Sequence, residues 1–210
     1  MVTPECDRSA SPLRPHLSAR RELACVGLTI LYCVIVELAH GHCFWAAGPY
    51  AVAVFLVSRP KDFIRGALEP LSSRVILLYG LLPTAIVIGA GYLTGLVGIY
   101  SGDPPPNPPQ RSLPETMNAL VYMALLGPVV EELAFRFVFF RAVREKLSFL
   151  PAATVSSALF GVAHFRYPDP MKVVICIGAG VIFCWIYEKS KTILAPTLVH
   201  ALNNAWMAIS

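Results

Sequence analysis

The sequence predicts an all-α protein, a polytopic transmembrane helix bundle with about seven membrane helices, and three observations predict it. Of 210 residues, 56% are hydrophobic and only 14% are charged, with a mean hydropathy of +0.61. A soluble domain carries about a quarter charged residues and could not bury that much apolar surface. Apolar segments of about 17 to 25 residues recur along the chain, and a hydrocarbon core of ~30 Å needs about 20 helical residues to cross it. The lysines and arginines between those segments alternate between dense and sparse loops, as they do on the two sides of a membrane.

Taken in order, residues 1–22 form a polar N-terminal tail rich in Pro, Ser and Arg, and candidate spans follow at 23–39, 41–57, 75–99, 117–140, 148–164, 171–188 and 193–209. The first span has no small-residue cleavage site after it, so it is expected to be a retained signal anchor. The domain pattern is a tail, N-terminal transmembrane helices over 23–100, a Pro-rich loop over 101–114 and a second helix bundle over 115–210. In the loop, Pro104, Pro105, Pro106, Pro108 and Pro109 lack amide donors and favour extended backbone. Ser112 and Glu115, three apart, fit a capping box that starts the fourth span.

Orientation comes from the basic residues. One side holds Arg8, Arg14, Arg20, Arg21, Arg59, Lys61, Arg65, Arg74, Arg141, Arg144, Lys146, Lys189 and Lys191, and the other only Arg111 and Arg166. This asymmetry places the N-terminus in the cytoplasm and, with seven spans, the C-terminus on the far side. The formal net charge of +4 is spread between spans, which suits lipid head groups and argues against a nucleic-acid partner. The cysteines (Cys6, Cys25, Cys33, Cys43, Cys176 and Cys184) show no metal or redox spacing and read as packing residues. Glu37, with His40 and His42, reads as an interfacial group.

An ionised side chain at mid-membrane costs at least ~2.5 to 3.5 kcal/mol, so the charges in the fourth span need a partner or a task. Glu132 and Arg136 stand i and i+4 and can neutralise each other. Glu131 is turned by about 100° from Glu132 and lacks that partner. In the fifth span Phe160 and His164 share a face, and in the seventh His200 and Asn204 do, with Asn203 beside them. A lone Glu-Arg pair or a lone histidine can simply knit a bundle. Two histidines, a spare glutamate and an asparagine on three apolar helices are harder to explain by packing.

Amide hydrolysis in a dry cavity needs a base for water, donors for the developing oxyanion and a proton route to the leaving amine. Glu131 with His164 can act on water, and His200 with Asn204 can donate to the oxyanion, each such donor being worth ~2.7 to 4 kcal/mol. Glu132 and Arg136 would support them. Glu131-Glu-Leu-Ala-Phe-Arg136 matches the pattern EExxxR, Phe160-Gly-Val-Ala-His164 matches FxxxH, and His200-Ala-Leu-Asn-Asn204 matches HxxxN. Together and in this order they resemble the CPBP family of CAAX proteases and bacteriocin-processing (Abi) proteins, over about residues 115 to 210. The resemblance implies a glutamic intramembrane endopeptidase in a prokaryotic cell membrane, acting on a membrane-associated protein or peptide, with no cofactor and no obligatory metal.

Three alternatives stand beside it. Two histidines and a glutamate are a known zinc set, although no HExxH helix is present. A non-enzymatic membrane partner, such as an immunity or scaffold protein on the same fold, would not need the complete set. A transporter could use Glu37 and the buried acids, but no inverted repeat is visible. One expectation is in tension with the rest. Counted along straight helices, His164 lies about 10 Å out of level with Glu131 and His200, so the fifth helix must tilt or begin in the cytosol near Pro151.

Overall fold

The computed structural model describes residues 19–38, 47–58, 76–86, 112–164 and 170–209, together with Ser72, Arg74 and Gly89. The expected Pro-rich loop, His40, His42, Cys6, Cys43, Arg111 and Arg166 lie outside the described residues, as do the side chains of Cys33, Glu37 and Glu115. Among the described residues the chain is helical with no strand. Its helices are α1 (Ala19–Leu38), α2 (Ala47–Ser58), α3 (Ile76–Ile86), α4 (113–144), α5 (Phe149–Ala163), α6 (Pro170–Ser190) and α7 (Leu194–Ile209). α1 starts ahead of the expected Leu23, because Arg20 and Arg21 favour helix and their long stems can lie along an apolar surface while the charge stays in water.

Local sequence fixes the ends. The Ser112 carbonyl accepts the Thr116 amide at 2.9 Å, so Ser112 stands where the capping pattern put it. α5 opens from extended backbone at Ser148, with Pro151 in the first turn, where its missing amide leaves no bond unmade. Between α6 and α7, Lys191 takes a positive φ of 60°. The Thr192 hydroxyl then caps α7 by accepting the Leu194 amide at 3.3 Å.

α4 is the central helix, with α1, α2, α5, α6 and α7 around it and α3 lying against α7. It carries two stretches wound more widely than an α-helix, Leu120–Leu126 and Leu133–Phe140. The first runs up to Gly127 and Pro128, and Pro128 can neither donate to the preceding turn nor sit against its carbonyl without pushing it aside.

α5 and α6 meet most closely, over small residues. A methyl group on Gly161 would come 2.5 Å from Ile177 and 2.9 Å from the Val173 carbonyl, and one on Gly180 would come 2.9 Å from Ser157. Such small-residue contacts let helices approach where apolar burial gives little drive. The buried core is aromatic around α4, with Phe135, Phe137, Phe140, Phe160, Phe183 and Tyr187 each at most 2% exposed.

The helix surface faces outward with apolar side chains, among them Leu77, Leu82, Ile86, Leu150, Val162 and Val174. Within α6, Lys172–Ser190 is long and apolar enough to cross a membrane, and only 33% of it is buried, unlike the core helix of a soluble protein. Leu23–Tyr32, Ile76–Ile86 and Phe149–Ala163 are shorter apolar helices. Cys25 and Cys184 are buried and Cys176 half-buried, none of the three in a disulfide, in keeping with a packing role.

Candidate active site

Glu131 and Glu132, adjacent in α4, lie in different surroundings. Glu132 is completely buried. One of its oxygens, Oε1, meets Arg136 Nη1 at 3.1 Å and His200 Nδ1 at 3.0 Å, so a single carboxylate oxygen ties α4 to itself and to α7. Arg136 is equally buried. Its guanidinium lies over the rings of Phe160, 4.4 Å to the centroid, and Phe183, 5.0 Å, and donates to the Gly180 carbonyl at 3.5 Å. Those contacts offset the cost of an arginine in an apolar interior.

The Glu131 side chain is 25% exposed, and its Oε2 faces two histidines: His164 Nε2 at 3.5 Å and His200 Nε2 at 3.6 Å. Both distances exceed a good hydrogen bond, and Oε2 itself is buried without a hydrogen-bond partner. Each histidine has its other nitrogen committed. His164 Nδ1 donates to the Phe160 carbonyl at 2.8 Å, and His200 Nδ1 donates to Glu132. With Nδ1–H held on both rings, Nε2 is the atom free to exchange a proton, and both Nε2 atoms point at the same carboxylate oxygen.

The tension over depth is resolved by tilt. Phe149 meets Phe140, Ser156 donates to the Phe135 carbonyl at 3.0 Å, Phe160 sits against Phe135, and His164 reaches Glu131. Over this ladder α5 spends more residues than α4, so it crosses obliquely and brings His164, just past its end, level with Glu131.

Three of the four candidate residues, Glu131, His164 and His200, are thus brought together. Asn204 lies one turn along α7 from His200, and its amide donates to the Met123 carbonyl at 2.8 Å, which fastens α7 to the widened stretch of α4. One of its N–H groups is used there; the other is left. Glu132 and Arg136 stand where the i, i+4 spacing put them. Phe183 was not singled out in the sequence, yet its ring stacks on His200, with centroids 4.9 Å apart and planes 22° apart. An aromatic residue in an apolar helix carries no sequence signal to distinguish it from ordinary core.

Apolar helices around a buried ion pair, with an acid facing two histidines, define a helix bundle with a polar site in its interior. Residues 114–206 match the family described as type II CAAX prenyl endopeptidase Rce1-like, and they contain every residue of the site. The putative membrane peptidase YdiL of Bacillus subtilis (strain 168) is 30% identical over 90 residues, which are 43% of this chain and 36% of that protein. The membrane-embedded CAAX protease MroQ of Staphylococcus aureus (strain USA300) is 32% identical over 98 residues, 43% of this chain and 38% of that one. The chain therefore spans well under half the length of these relatives. No solved structure matches. Over residues 114–206 the chain is thus similar to the type II CAAX prenyl endopeptidase Rce1-like family and to these two bacterial membrane proteins.

Proposed function

We propose that the protein is an intramembrane endopeptidase, a glutamic-type hydrolase that cuts a peptide bond in a membrane-associated protein or peptide. The observation that carries this reading is the placing of His164 Nε2 and His200 Nε2, each with its Nδ1 proton committed, about the partnerless Oε2 of Glu131. The gaps of 3.5 and 3.6 Å suit a shared water better than direct contact.

Glu131 takes a proton from the water as its oxygen attacks the peptide carbonyl carbon. The oxyanion that forms accepts hydrogen bonds from His200 Nε2–H and from the remaining N–H of Asn204. His200 donates in this way as an imidazolium, whose charge is compensated by Glu132 at Nδ1. The intermediate collapses by breaking the C–N bond, and the proton taken up by Glu131 passes to the leaving amine, directly or through His164 Nε2. Water and peptide thereby become a free carboxyl and a free amine.

The fold reading that accompanies this is seven membrane crossings with the N-terminus cytoplasmic, in a prokaryotic cell membrane. The relatives named above are bacterial and named for membranes, which supports the setting.

Terminal peptide mapping of membranes containing wild-type protein or Glu131→Gln tests the activity and finds the substrate together. New termini present with the wild type and missing with the variant are expected. Identical maps at equal protein levels would sink the peptidase reading and favour a non-enzymatic membrane partner.

A further inference from the structure

α6 holds none of the sequence motifs, yet it packs two groups against the site: the Gly180 carbonyl on Arg136 and the Phe183 ring on His200. Phe183 is 2% exposed and touches the site from within the core. Its relation to His200 answers a question that Glu132 leaves open. The hydrogen bond from His200 Nδ1 to Glu132 fixes one atom of the imidazole, and a single bond does not fix a plane. The ring could turn about that bond, sweeping Nε2 away from Glu131.

The plane is fixed by neighbours on two sides. Phe183 lies nearly parallel to the imidazole at 4.9 Å, and the edge of Phe160 meets it at 5.9 Å with planes 83° apart. Arg136 in turn lies 5.0 Å from the Phe183 centroid and pairs with the same Glu132 oxygen as His200. Phe183, Arg136, Glu132 and His200 therefore form a closed set in which each member contacts its neighbours.

We propose that Phe183 is a positioning residue, whose stacked ring holds the His200 imidazole in the plane that aims Nε2 at Glu131. The proposal rests on the peptidase reading for its effect on catalysis, but its physical content, a fixed ring, is measurable without turnover. Misplacing a reacting group by about 1 Å can cost ~100-fold in rate, so a ring free to swing is expected to slow cleavage by about tenfold or more.

The test uses the full chain with nitrogen-15-labelled histidine in detergent micelles, the His200 Nδ1–H resonance being assigned by its loss in His200→Gln. Phe183→Leu keeps apolar bulk but removes the stacking plane. It is expected to broaden or average the His200 resonance, to leave that of His164 in place, and to slow new-terminus formation in membranes about tenfold. Phe183→Tyr, which restores the plane, is expected to return both. An unchanged His200 resonance in Phe183→Leu overturns the proposal. So does equal loss of the His164 resonance, which would mark a general packing role. Should Glu131→Gln still cleave, the peptidase reading falls while the His200 resonance continues to decide this proposal.

Discussion

Glu131 and Glu132 are neighbours along the backbone and both face His200, but only Glu132 pairs with the buried Arg136, and the difference predicts opposite mutant behaviour. Removing the Glu132 carboxylate leaves Arg136 and His200 facing each other in a sealed interior, and breaking such a buried pair costs ~3 to 5 kcal/mol. Glu132→Ala is therefore expected to unfold at markedly lower temperature in detergent, whereas Glu131→Gln, at a side chain 25% exposed, unfolds close to wild type. Comparable losses in the two variants would contradict the division of labour between them. The sequence made this pair legible because i, i+4 spacing is a local property. It also marked Glu131 as the acid turned away from Arg136. It did not reveal that His200 bonds Glu132 as well as facing Glu131, because that contact joins two helices 68 residues apart.

At the scale of elements, the site depends on how closely α5 meets α6 and on the oblique run of α5 across α4. Gly161 sits one turn before His164, and a methyl group there would overlap Ile177 and the Val173 carbonyl. Overpacking of this kind costs ~1 to 3 kcal/mol. Gly161→Ala is expected to lower the unfolding temperature and to slow cleavage, as α5 shifts and carries His164 from Glu131. A variant with wild-type stability and rate would show that α5 has slack the structure does not suggest. The sequence placed these helices to within a few residues, since apolar length and capping residues are local signals. The crossing of α5 over α4 shows in the sequence only as a mismatch in depth that tilt or an earlier start could explain, because tilt is set by side chains meeting across helices. Phe183 stayed hidden for the same reason, as its role exists only in the packed molecule.

For the whole molecule, outward-facing apolar side chains and the apolar α6 fit a bundle immersed in lipid. The seven-crossing reading with a cytoplasmic N-terminus makes α6 run from the far side to the cytoplasm. In a background without its native cysteines, Lys189→Cys should react with a membrane-impermeant thiol reagent in inverted vesicles, and Lys172→Cys in intact cells. Reaction of both from one side would break the assigned topology. Composition and basic-residue alternation made the membrane class legible, whereas the Pro-rich loop and much of the third expected span lie outside the described residues. The central claim, that Glu131 activates water in this bundle, is tested most directly by purified protein in liposomes with a peptide spanning a mapped cleavage site, in the presence of a metal chelator. Cleavage by the wild type with chelator present, and none by a folded Glu131→Gln variant, is the expected result. Cleavage by that variant, or activity lost to the chelator and restored by zinc, would contradict it.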